Sequence, residues 1–292
     1  MKRFMIYVLI AVLLLLPCAV AGQSVILLDG LMSYWRLDEQ SGIRYDAHGT
    51  WHLTDNNTVG YDAGRFNNAA KFVAVNSEYL SVSTGVLTLD DFAISTWVRL
   101  DASTGGNQIF FRHYGVGSTG WQIYADYSDK LRFSISGGSS ILTGPILEIG
   151  EWYYVACWRD GGAFYMQVDG NSVADGTITG SIIITDTLYV GQNSAGSYFA
   201  NATIDEAGYW NRALTASERS ALYNNGAGLS YDQFSYYPLP SEIDQDHNVN
   251  ELWSGNWFAG FGSIIVQIIG LALALVIAQR IIGLFWRVSW TL

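Results

Sequence analysis

The chain has 292 residues, half of them hydrophobic, and 15 basic against 26 acidic side chains give a formal net charge of −11. That balance excludes nucleic acid as a partner and disfavours adsorption to anionic lipid. Abundant Gly, only 4 Pro and 14% aromatic residues make a β composition.

Lys2 and Arg3 precede an apolar run that starts at Phe4 and reaches Leu16, where Pro17 breaks it. Ala19 and Ala21 then supply small residues at the −3 and −1 positions of a cleavage site, so residues 1–21 are predicted to be a secretory signal peptide. Cys18 is not a lipidation site, because Pro17 stands where a small residue is needed. After cleavage only Cys157 remains, in an apolar stretch, and a disulfide framework is excluded. Between the hydrophobic ends lie all 26 acids and 11 bases, a balance near −15.

Period-two alternation marks the strands. Phe92, Ile94, Thr96, Val98 and Leu100 share one face, with Ala93, Ser95, Trp97 and Arg99 on the other. Leu131, Phe133 and Ile135 repeat the pattern, as do Phe164, Met166 and Val168. Gly-containing turns separate these runs, and Asp169-Gly170 is a hairpin signal because Gly tolerates positive φ. Many short antiparallel strands with such turns predict an all-β sandwich or barrel. Late in the chain Thr215 and Glu218 form a capping box, Leu214, Leu222 and Tyr223 are placed to pack inward, and Asn224-Asn225-Gly226 stops the helix. From Ser230 to Asn250 the chain turns acidic and aromatic, which reads as a stalk.

The run that starts at Phe258 and reaches Gln279 carries no charge before its end. At about 1.5 Å per residue it spans roughly 33 Å, enough for a bilayer core of about 30 Å. Trp253 and Trp257 before it, and Phe285, Trp286 and Trp290 after it, are the rings expected at the interfaces. Arg280 and Arg287 place the C-terminus in the cytoplasm. The predicted division is a signal peptide at 1–21, a sandwich domain at 24–232, a stalk at 233–256, a transmembrane helix at 257–279 and a short tail at 280–292.

Short motifs strung along the ectodomain identify its type. They are Tyr34-Trp35-Arg36-Leu37-Asp38-Glu39 with Ser41-Gly42, Asp46-x-x-Gly49, Ala70-Lys71-Phe72 and Tyr79-Leu80. Asp91-Phe92-Ala93-Ile94-Ser95-Thr96-Trp97-Val98, Gly150-Glu151-Trp152-Tyr153, Val168-Asp169-Gly170 and Leu188-Tyr189-Val190-Gly191 follow. Ile204-Asp205-Glu206 and Trp210-Asn211-Arg212-Ala213-Leu214-Thr215 complete the series. In order and spacing they resemble the laminin-G-like, concanavalin A-like jelly-roll superfamily, in the bacterial branch related to pentraxins. The resemblance implies a two-sheet antiparallel jelly roll. It also implies a structural Ca²⁺ site held by Asp46, Asp205 and Glu206, since hard cations want several oxygen ligands.

A sugar site needs exposed rings, and Trp51, Tyr61, His113, Tyr114, Trp121, Tyr127 and Tyr198 lie in or near loops. The segment around His113, Tyr114 and Trp121, with Tyr127 beyond it, is the expected ligand platform. No catalytic residues are assigned: Asp205 and Glu206 occupy adjacent strand positions, hence opposite faces, which does not suit a glycosidase pair. Asp126 and Asp129 flank a turn, the four His show no metal-ligand spacing, and Gly-x-Ser-x-Gly is absent. Asn56-Asn57-Thr58 and Asn201-Ala202-Thr203 match the N-glycosylation pattern, relevant only in a eukaryotic host. The expectation is a non-enzymatic, membrane-anchored extracytoplasmic module that binds a glycan or surface protein. Alternatives are a virion or appendage attachment protein, an unusual glycosidase, and a structural spacer.

Overall fold

A computed structural model describes residues 27–236, except 115–119, 136–139, 172–173, 178–181, 185–186 and 194–195. The expected signal peptide, transmembrane helix and tail, and all of the stalk beyond residue 236, lie outside the described residues. Among the described residues no helix is long and apolar enough to cross a membrane.

The chain begins with β1 (Leu31–Trp35), β2 (Thr54–Asn56), β3 (Gly60–Ala63), β4 (Asn68–Phe72), β5 (Tyr79–Ser83) and β6 (Leu87–Leu89). It continues with β7 (Phe92–Leu100), β8 (Gln108–Tyr114), β9 (Gly120–Ala125), β10 (Lys130–Ile135), β11 (Ser140–Ile146) and β12 (Trp152–Asp160). Then come β13 (Ala163–Val168), β14 (Ala174–Thr177), β15 (Ile182–Ile184), β16 (Thr187–Val190), β17 (Ala202–Trp210) and helix α1 (Ala216–Tyr223).

Two antiparallel sheets form the sandwich. One runs β14-β13-β12-β7-β17-β4-β3, with β1 also paired to β17; the other runs β11-β10-β9-β8-β16-β5-β2. β6 and β15 make a separate ribbon. The expected alternation decides which side chains enter: Phe92, Ile94, Val98 and Leu100 of β7 meet Phe111, Ile123, Phe133 and Ile135 of the facing sheet in one core. Each such side chain, fully buried, contributes roughly 1.5–3 kcal/mol.

The far face of β7 is not open to water. Ala93 and Trp97 join Tyr34, Tyr154, Trp158, Trp210, Leu214, Leu222 and Phe234 in a second apolar cluster. α1 forms part of its cover, capped as expected by reciprocal Thr215 and Glu218 bonds and ended by Asn224 in the left-handed conformation. The segment expected to start a stalk contributes too. A 3₁₀ turn over Tyr231–Tyr236 brings the Phe234 ring edge-on to Tyr34, at 5.1 Å between centroids. Asp232 takes a two-pronged ion pair from Arg36 beside it, so the packed domain extends past residue 232.

Candidate functional site

Asp46 sits where the chain turns back after β1. Its carboxylate accepts hydrogen bonds from the Ser33 hydroxyl at 2.6 Å and from the backbone N–H groups of Tyr34, His48, Gly49 and Trp51 at 2.8–3.0 Å. Burial pushes its pKa up, yet the hydrogen bonds, led by Ser33, outweigh that and hold it below the usual range. Gly49 is needed here because a Cβ would lie 2.5 Å from the Met32 carbonyl and 2.9 Å from Asp46 itself. Five donors occupy the oxygens that a cation would require.

Asp205 and Glu206 sit at the point of β17 where its partner changes from β4 to β1. The register with β7 slips between Asp205 and Gly208, and Glu206 has φ 49°. Ile204, Ala207 and Tyr209 all enter the main core, which leaves two consecutive residues between inward positions. This β-bulge corrects the expectation of opposite faces, because both carboxyls turn toward the outer face. Asp205 Oδ2 accepts from the Arg65 and Phe66 N–H groups, its Oδ1 accepts from Glu206 N–H, and Tyr34 donates its hydroxyl to Glu206. Desolvation, with the neighbouring Glu206 charge second, pushes Asp205 up to about 8. Desolvation likewise pushes Glu206 up to about 7.

The three residues expected to share a cation are thus divided by Tyr34, whose N–H serves Asp46 and whose hydroxyl serves Glu206. Among the described residues no group of three or more His, Cys, Asp or Glu side chains is placed to hold a metal ion. With Asp46 saturated and Asp205 held by three N–H donors, this set does not fit the implied Ca²⁺.

The expected sugar platform divides in the same way. His113 is the next-to-last residue of β8 and Trp121 the second of β9, and both are 0% exposed. Trp121 shares the inward face with Ile123 and Ala125. Its indole N–H donates to the Tyr209 hydroxyl at 3.0 Å, and that hydroxyl lies 3.3 Å from His113 Nδ1. On its other side the His113 ring places Nε2 2.9 Å from Thr84 Oγ1, so the imidazole bridges two hydroxyls. Tyr114 is also buried, beneath the Arg112 guanidinium. These three rings belong to the frame, contrary to their expected place at a loop surface. Tyr127, by contrast, is 73% exposed at the β9–β10 turn, and Tyr61 and Tyr198 are exposed as well. Asp126 in that turn is ion-paired with Arg132. Asn201 Oδ1 accepts from Ala74 N–H, and Asn56 donates to Ser81, so both sequon amides are engaged within the fold.

Residues 75–218 match the family described as the concanavalin A-like lectin/glucanases superfamily, Laminin_G_3. The described domain has the jelly-roll fold of the superfamily that its sequence resembles. Similar solved structures include Trypanosoma rangeli sialidase, at 15% identity and TM-score 0.54, covering 69% of this chain and 34% of the sialidase. The binding domain of Paraclostridial Mosquitocidal Protein 1 aligns at 16% identity and TM-score 0.57, covering 68% of this chain and 53% of that one. A mutant of HCR/D aligns at 11% identity and TM-score 0.56, with 68% and 52% covered. The chain therefore spans about a third of the sialidase and about half of the other two. At these identities the likeness is one of fold. Among curated proteins none matches the sequence.

Proposed function

We propose that this chain is a membrane-anchored, extracytoplasmic binding module that recognises a glycan or a surface protein. The observation that carries the proposal is the lectin-type sandwich, with its matched superfamily and a neighbour named as a binding domain. Supporting it, the conspicuous carboxylates are spent on holding the frame, while Tyr61, Tyr127 and Tyr198 are left in water. The apolar run beginning at Phe258, with its flanking aromatic rings and following arginines, supplies the anchor. A glycosidase reading gains from the bulge that aligns Asp205 and Glu206, but these are only 0% and 4% exposed. Reaction by such a pair would require substrate to reach both. The test is a glycan array and a cell-surface binding assay with the full chain, beside a polysaccharide-hydrolysis panel. Selective binding without turnover supports the module; turnover lost in Glu206→Gln would replace it with a hydrolase, and blank arrays and unbound cells would leave a spacer.

A further inference from the structure

On the outer face of the larger sheet, α1 does not close completely onto the β12–β13 hairpin. A recess of about 320 Å³ remains, lined by Tyr154, Asp169, Arg219, Ser220, Tyr223 and Asn225, with Gln167 in its wall. Its size lies at the small end of ligand sites, which run to roughly 300–1,000 Å³. That admits one ring of a ligand rather than a chain of them.

The groups around the recess are fixed before anything enters. The turn that follows β13 has Asp169 at φ 50° and Gly170 at φ 69°. A Cβ on Gly170 would lie 3.0 Å from the Tyr223 ring, so only Gly lets the turn pack on that wall. Asp169 Oδ1 accepts from Tyr154 N–H at 2.8 Å, which orients the carboxylate and leaves Oδ2 for the recess. The Arg219 guanidinium lies 3.8 Å above the Trp158 ring. Its Nε donates to Gln167 at 2.9 Å and its Nη1 to the Leu214 carbonyl, leaving Nη2 without a hydrogen bond among the described residues. The Tyr154 hydroxyl is fully buried beside Ser95, out of reach of a ligand, so this residue serves as the floor of the recess.

The electrostatics narrow the ligand. One carboxylate and one guanidinium cancel, so the recess offers no net charge to an anion or a cation. What it offers is acceptors and donors together: Asp169 Oδ2, Arg219 Nη2, the Ser220 hydroxyl and the Asn225 amide. Vicinal hydroxyls, each both donor and acceptor, complement such a set. The geometry points to a binding site for one neutral sugar residue in this recess. The inference rests on the glycan-binding reading above and places it between helix and hairpin, away from the exposed tyrosines.

The test uses the full chain in a sugar-free detergent on an array carrying neutral hexose- and N-acetylhexosamine-terminated glycans beside sialylated and sulfated ones. Calorimetry with the methyl glycoside of the best neutral terminus follows. Ser220 is exposed on α1, so Ser220→Trp fills the recess without disturbing the core. Asp169→Asn keeps an acceptor for Tyr154 N–H while removing the charge. Expected is neutral-glycan binding weakened about tenfold or more by either variant, with melting unchanged in Ser220→Trp. Neutral-glycan binding untouched by Ser220→Trp would overturn this site and leave the glycan reading standing. Binding confined to sialylated or sulfated glycans would overturn the neutral class. No glycan binding at all would remove both.

Discussion

Tyr34 is joined to acidic groups at both ends, which gives its neighbours measurable roles. Replacing Asp46 by Ala strips the partner from one hydroxyl and four backbone N–H groups at once. Hydrogen bonds to charged groups contribute about 1.5–3 kcal/mol each, with strong non-additivity. We expect Asp46→Ala to lower stability by roughly 3–5 kcal/mol in urea unfolding, whether or not Ca²⁺ is present. A gain in stability of the unsubstituted chain with millimolar Ca²⁺, lost in Asp46→Ala, would show that the ion, not the amides, is the carboxylate's partner. In the core, Tyr209→Phe leaves the Trp121 indole N–H and His113 Nδ1 without their shared hydroxyl. A loss of about 1–3 kcal/mol is expected, read from the same unfolding curves; a neutral result would dissolve the chain of bonds described here.

At the scale of elements, local chemistry made most of the architecture legible in the sequence. β7, β10 and β13 follow from the spacing of Phe92, Leu131 and Phe164 with their successors, and α1 from Thr215 and Glu218. Helix capping of this kind is worth about 1 kcal/mol, so Thr215→Ala should lower stability by that amount; no change would mean that packing alone holds α1. What stayed hidden depends on pairing between distant strands. Nothing in Ile204-Asp205-Glu206-Ala207 announces a bulge, because the extra residue is accommodated only where β4 gives way to β1. Trp121 was legible in part, since it continues the inward spacing of Ile123 and Ala125, but a large ring beside a Gly-rich loop reads as surface. The recess beneath α1 had no sequence signal, as Tyr154, Asp169 and Arg219 come from three elements.

For the whole molecule, the buried pair on β17 sets a pH dependence. Unfolded, both carboxyls titrate near the ordinary value of about 4. Folded, Asp205 is raised to about 8 and Glu206 to about 7. Between these limits the folded state holds more protons, so stability is greatest at the acidic end and falls as pH rises, levelling off above about 8. Asp46, Asp126 and Glu218 are shifted downward, so their opposite contribution is lost only below the usual carboxylate range. A melting temperature several degrees higher near pH 5.5 than near pH 8.5 is expected, with the slope reduced in Glu206→Gln. An equal slope in that variant would place the linked protons elsewhere.

The central place of β17 has a consequence in time. Leu31 of the first strand pairs with Trp210 of the last, and β17 also separates β7 from β4. A growing chain therefore makes hairpins such as β12–β13 early, but its larger sheet stays split until residues 202–210 have emerged. Long-range closure of this kind is slow. For the exported module proposed above, which would thread a narrow translocation channel as an extended strand, that delay would be an advantage: the domain locks only once its last strand has passed.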